Sequence, residues 1–209
     1  AGIDITMFMS DMSLNENLSS TPQDRRELMD LVERMQGAFT TIAKSKIPTI
    51  ALAHGFCIGG ATSLVSACDI RLATKDAKFS IGETKLGLVA DVGVIQRMPK
   101  IVSSGDMNEL ALTGRIFDGE HAEKIRFVSK VYENSDDLFE AGEKLANEIS
   151  SNSKRIVQAT KEALEKSSNL TVDQGLEYAK LWSTSFLVSE DLREGVMAFL
   201  EKRDPKFNE

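Results

Sequence analysis

Cysteine is scarce in this chain, with two among 209 residues, Cys57 and Cys68. They form no CxxC pair and both lie in apolar sequence. That excludes a disulfide framework and reads as two buried thiols in a reducing compartment. Histidine is equally scarce, at two residues, His54 and His121. Neither has a partner suited to a catalytic triad or a metal site; His54 is expected to pack at a strand end and His121 to lie on a surface helix. No apolar run is long enough for a membrane-spanning helix. Positive charge is in deficit, with 25 Lys and Arg against 32 Asp and Glu, a net charge of −7 and a pI near 5.1. This argues against nucleic acid or an anionic membrane as the main partner, although a local basic patch still allows an anionic ligand. Internal repeats and low-complexity segments are also lacking. No signal peptide is visible, but the first residues look internal, so its absence means little.

What is present is ordinary for a globular protein, 42% hydrophobic and 27% charged residues. The length suits one large domain or two small ones. Two compositional regions follow one another. From Ile47 to about Tyr132, β-rich runs alternate with glycine turns and short helices. The expected strands are Ile47–His54, Asp69–Ala73, Lys78–Ile81 and Val128–Tyr132. From Ser135 onward the pattern is helical. Helices are expected from Ser135 with acidic residues in the first turn, over Lys154–Ser167, after Thr171, and over about Glu190–Lys202 before Pro205. An earlier helix starts at Thr21 with Pro22 at its first position. Its apolar residues Leu28, Leu31, Val32, Met35, Phe39 and Ile42 fall on one face.

The chemistry concentrates in His54-Gly55-Phe56-Cys57-Ile58-Gly59-Gly60-Ala61 and in two downstream acids, Glu83 and, eight residues later, Asp91. An apolar strand ending at Ala53 runs into a glycine-rich turn, which opens a helix through Leu64, Val65 and Ala67. Gly59 and Gly60 allow a sharp turn and close approach by a ligand. Free N–H groups at the helix start favour negative charge there. Such a site can hold a developing oxyanion, and the two carboxylates can move protons. The Met residues at 7, 9, 12 and 35 are read mainly as gap fillers in a core. Cys57 and Cys68 are read as core residues rather than nucleophiles.

These residues carry a resemblance. The order Ile47-Pro48, Ala53-His54-Gly55, Gly59-Gly60, Cys68-Asp69-Ile70-Arg71, Phe79, Glu83 and Gly87-Leu88 resembles the enoyl-CoA hydratase/isomerase (crotonase) superfamily. The ending Phe199-Leu200-Glu201-Lys202-Arg203 is similar as well. Gly87-Leu88-Val89-Ala90-Asp91-Val92-Gly93, with Gln96-Arg97, Pro99-Lys100, Asn108-Glu109-Leu110 and Trp182, most resembles its Δ3,5-Δ2,4-dienoyl-CoA isomerases.

The resemblance implies an α/β fold. A crotonase-like spiral of ββα turns over 1–134 would be followed by a helical trimerisation region over 135–209, the trimers often pairing into hexamers. It also implies that roughly one further ββα turn precedes Ala1, so the native protein is expected to be longer and the isolated chain to expose a sheet edge. The opening Ala1-Gly2-Ile3-Asp4-Ile5 is similar to the family's second oxyanion segment.

By resemblance, the N–H groups of Ile3 and Gly60 form the oxyanion hole, Glu83 and Asp91 are the proton-transfer pair, and Ala1, Asp4, Ile5 and Ser63 line the substrate site. The implied substrate is an acyl-CoA thioester, in fatty acid β-oxidation. No metal and no redox cofactor is expected, nor any nucleic acid or membrane insertion. The implied location is the mitochondrial matrix or peroxisome, or the cytoplasm of a bacterium. Ser63, three residues after Gly60, departs from the family, whose hydratases carry glutamate there and whose dienoyl-CoA isomerases carry aspartate. A serine is no general base near neutral pH, which counts against hydration. Alternatives stay open: a Δ3-Δ2-enoyl-CoA isomerase needing mainly Glu83, a hydratase-like enzyme, or a CoA-binding homologue with impaired catalysis.

Overall fold

The computed structural model describes residues 21–207. Its described residues form two compact units, 21–45 with 49–142, and 46–48 with 143–207. Among the described residues, no helix is long and apolar enough to cross a membrane.

The first unit opens with α1 (Pro22–Ala43), which starts where the sequence places it. Thr21 and Asp24 form a reciprocal capping box and Pro22 fills the first position. The expected apolar face is only half-buried, and Leu28 is exposed. There follow β1 (Ile50–Ala53), β2 (Phe56–Ile58), α2 (Gly60–Ala67), β3 (Ile70–Thr74) and β4 (Lys78–Ser80). A 3₁₀ turn (Gly82–Leu86), α3 (Val94–Arg97), α4 (Ser104–Thr113), β5 (Phe117–Asp118), α5 (Gly119–Lys124) and β6 (Lys130–Tyr132) complete it, with the start of α6 (Ser135–Ser150).

Among the described residues the strands form two three-stranded sheets. One is parallel, in the order β1-β3-β6; the other has the order β2-β4-β5, with β2 and β4 parallel and β5 antiparallel. Each successive strand pair thus gives one strand to each sheet, which is the spiral repeat the resemblance implies. Phe79, Phe117 and Phe127 interlock at the centre, with ring centroids 5.5–6.3 Å apart. Phe79, Phe127, Met98 and Leu110 are fully buried.

Several boundaries differ from the sequence reading. β1 begins at Ile50 rather than Ile47, because Pro48 supplies no N–H to a ladder. β6 begins at Lys130; Val128 instead bonds back to Ala122 and closes the end of α5. β2 and β5 are extra strands. Phe56 is exposed and the segment is bounded by glycines, so β2 reads as turn in sequence.

The second unit contains the rest of α6, then α7 (Lys154–Ser167), α8 (Val172–Thr184) and α9 (Glu190–Glu201). All three follow serine or threonine caps, at Ser153, Thr171 and Ser189. Trp182 donates its indole N–H to the carbonyl of Ala159 at 3.0 Å, which ties α8 to α7, and it stacks on Tyr178 and meets Phe186 edge-on. After α9, Arg203 makes a two-pronged pair with Glu194, at 2.6 and 3.0 Å. That pair holds the Glu194 carboxyl far below the usual carboxylate range, at about 2.

Candidate active site

Gly59 is the hinge of the site. Its φ of 57° and ψ of −116° lie in a region essentially closed to other residues. Its N–H donates to the Ser80 carbonyl at 2.9 Å, so the turn is fastened to the end of β4. The Thr62 hydroxyl reinforces this joint, within 2.6 Å of the Cys57 carbonyl and 3.0 Å of that of Ser80. Helix α2 then begins at Gly60. The N–H of Gly60 lies in the first turn, where no preceding helical carbonyl exists to receive it.

Glu83 leaves β4 on the 3₁₀ turn and brings its carboxylate against this glycine. A Cβ on Gly59 would stand 3.3 Å from Oε1 of Glu83. Oε2 of Glu83 is buried and has no hydrogen-bond partner among the described residues. Burial pushes the Glu83 carboxyl above its usual pKa; its own backbone N–H opposes this, and the nearby charge of Asp91 adds to it.

Asp91 lies exposed between two buried residues, Ala90 and Val92. Its backbone is held: Nε2 of Gln36 on α1 donates to the Asp91 carbonyl at 2.7 Å. Nη1 of Arg97 donates to the Val92 carbonyl at 3.3 Å, and Nη2 to the Thr40 hydroxyl at 3.1 Å. Arg97 appears in the sequence reading only through the family resemblance. Gln36 carried no signal at all, since an exposed helical glutamine 55 residues from its partner looks like any other.

Ser63 is fully buried on α2, one turn beyond Gly60, and its hydroxyl is unpartnered among the described residues. Ala1, Ile3, Asp4 and Ile5, and with them the expected second oxyanion donor, lie outside the described residues. Burial raises the Cys57 thiol to about 11, in keeping with a core residue rather than a nucleophile. Cys68 is half-buried. His54 is exposed at the end of β1, with its ring 5.7 Å from Phe139. His121 is half-buried on α5 against Phe117 rather than on the open surface.

A glycine turn feeding a helix start, with a buried carboxylate of raised pKa against it, is an arrangement that can hold a developing negative charge and accept a proton. The chain belongs to the enoyl-CoA hydratase/isomerase family, whose model matches residues 6–209. It is 47% identical to the mitochondrial Δ3,5-Δ2,4-dienoyl-CoA isomerase of Dictyostelium discoideum over 188 residues, 90% of this chain and 64% of that protein. It is 39% identical to the peroxisomal Δ3,5-Δ2,4-dienoyl-CoA isomerase of Arabidopsis thaliana, over 99% of this chain and 74% of that one. Against the mitochondrial enzyme of that name from Mus musculus, identity is 43% over 86% of this chain and 55% of the relative. The chain thus spans between about half and three quarters of the length of these relatives. Among solved structures, a putative enoyl-CoA hydratase/isomerase family protein from Hyphomonas neptunium superposes with a TM-score of 0.85 at 32% identity, covering all of this chain and 75% of that one. The fold is therefore crotonase-like, as the sequence implied.

Proposed function

We propose that the protein is an acyl-CoA double-bond isomerase converting a 3,5-dienoyl-CoA to the 2,4-dienoyl-CoA. The observation that carries this reading is the placement of the Glu83 carboxylate against the Gly59 turn, within electrostatic reach of Asp91. The reaction moves a proton from C2 to C6 overall. Loss of the C2 proton puts negative charge on the thioester oxygen, and N–H donors at that oxygen stabilise it. One such donor is typically worth about 3–4 kcal/mol. In this reading the Gly60 N–H is one donor and the Ile3 N–H the other. Glu83, its pKa raised by burial, takes the C2 proton; Asp91 delivers a proton at C6. The sum is redox-neutral and built from proton transfers, so the carboxylates suffice and no further cofactor enters. CoA arrives as part of the substrate.

The names of the relatives support a place in mitochondria or peroxisomes, and a role in fatty acid β-oxidation is part of the proposal. Assembly into a trimer or a hexamer is part of the proposal. It is supported by the apolar residues that α8 and α9 leave exposed in the second unit, among them Leu181, Phe199 and Leu200.

The test is turnover of a synthetic 3,5-dienoyl-CoA in deuterium oxide. General acid–base groups contribute about 10²–10⁴-fold, so Glu83→Gln and Asp91→Asn should each slow isomerisation by that order. Glu83→Gln should abolish exchange at C2. Asp91→Asn should keep that exchange without completing the shift. Unimpaired dienoyl turnover by Asp91→Asn would favour instead a single-glutamate Δ3-Δ2-enoyl-CoA isomerase.

A further inference from the structure

We infer that Gln36 and Arg97 are positioning residues that aim the Asp91 carboxylate. The inference rests on the reading of Asp91 as the second proton-transfer group. An acid that protonates one carbon of a bound chain must be held to a fraction of an ångström. A displacement of about 1 Å can cost a hundredfold in rate. Asp91 has no strand or long helix of its own to hold it. It lies on the irregular stretch between the 3₁₀ turn and α3.

Three features act on the backbone at and just after it. Ala90 and Val92 are both buried, which anchors the chain on either side and leaves Asp91 pointing away from the core. Gln36 grips the Asp91 carbonyl at 2.7 Å and Arg97 the Val92 carbonyl at 3.3 Å. Arg97 is itself fastened to Thr40 at 3.1 Å. Gln36 and Thr40 are one helical turn apart, so a single face of α1 holds two successive carbonyls, one directly and one through the guanidinium.

Gly93 makes the arrangement possible. Its φ is 115°, and a Cβ there would fall 1.9 Å from Nη1 of Arg97. Only a residue without a side chain lets Arg97 fold back beneath its own turn. Gln36 is exposed, so its bond to Asp91 seals no core. Its effect is to fix where a backbone segment lies, not to bury surface.

The experiment compares Gln36→Met, which keeps length but loses the donor, with Gln36→Lys, which keeps a donor at similar reach. Both are made in the full chain, alone and with Asp91→Asn. Gln36→Met should lower kcat for the 3,5-dienoyl-CoA about tenfold, with KM within twofold and C2 exchange in deuterium oxide unchanged. Gln36→Lys should recover most of the loss. In the Asp91→Asn background Gln36→Met should have no further effect, since the group it aims is gone. Thr40→Val, which frees Arg97, should act in the same direction. The inference is overturned if Gln36→Met leaves kcat unchanged while Asp91→Asn slows it. It is equally overturned if Gln36→Met slows C2 exchange and isomerisation together, or acts undiminished without Asp91. If Asp91→Asn itself has no effect, the reading beneath it fails, and the inference with it.

Discussion

The backbone of Gly59 and the carboxylate of Glu83 share one spot, with the position of a Cβ on Gly59 only 3.3 Å from Oε1. The absent side chain is therefore part of the site. It leaves room for the acid beside the helix start and lets the chain take a turn that other residues resist.

Gly59→Ala should act twice. Strain in this region of backbone space costs of the order of 1–3 kcal/mol, so the urea midpoint should fall accordingly. The new methyl group should also displace Glu83, lowering kcat at least tenfold. Retention of full activity with normal stability would mean that the contact is incidental.

Glu83 has its pKa raised first by burial and further by Asp91. A base works only when ionised, so the acid limb of C2 exchange should lie above the ordinary glutamate range. Asp91→Asn removes a negative neighbour, which should lower the Glu83 pKa and move that limb to lower pH. The sign for stability is the reverse of a salt-bridged acid. A raised pKa means that the ionised form is disfavoured in the fold, so stability is lost as pH rises through the Glu83 pKa. Glu83→Gln should therefore raise the melting temperature at neutral pH, with the gain vanishing at pH values where the unfolded glutamate is itself protonated. Melting curves across pH, alongside exchange rates, check both.

Two buried serines should respond differently to loss of their hydroxyls. Ser80 donates to the Gly114 carbonyl at 3.0 Å, so Ser80→Ala strands a buried acceptor and should cost about 1–3 kcal/mol. Ser63 has no partner among the described residues, so Ser63→Ala should be neutral or stabilising. Ser63→Asp places a carboxylate in a fully buried position. It should lower stability while raising dienoyl isomerase turnover, if the missing acid limits catalysis. Ser63→Glu should add weak hydration of a 2-enoyl-CoA. Substantial hydratase activity in the unaltered protein would contradict this account of position 63.

Phe199 and Leu181 are 83% and 69% exposed. If the helices of the second unit mediate assembly, Phe199→Asp combined with Leu181→Asp should convert a trimer or hexamer to monomers by light scattering. An unchanged mass would remove these faces from the interface.

Local chemistry that is written in the order of residues was legible from the chain alone. Thr21-Pro22 announce the start of α1, acidic residues after Ser135 that of α6, Thr171 that of α8, and paired glycines before an apolar helix announce the turn into α2. These signals act within a few residues, through backbone freedom and the unpaired N–H groups of a helix start, so they need no knowledge of the fold. Strands β2 and β5 were not legible, because segments of three and two residues carry too little periodicity to stand out from turns. What only the tertiary structure decided is which groups meet. The approach of Glu83 to Gly59 depends on β2 and β4 lying side by side in parallel register. The hold of Gln36 on Asp91 joins residues 55 apart through an exposed side chain with no pattern of its own. Contacts of that range are set by how sheets and helices pack, and packing is a property of the whole chain rather than of any stretch of it.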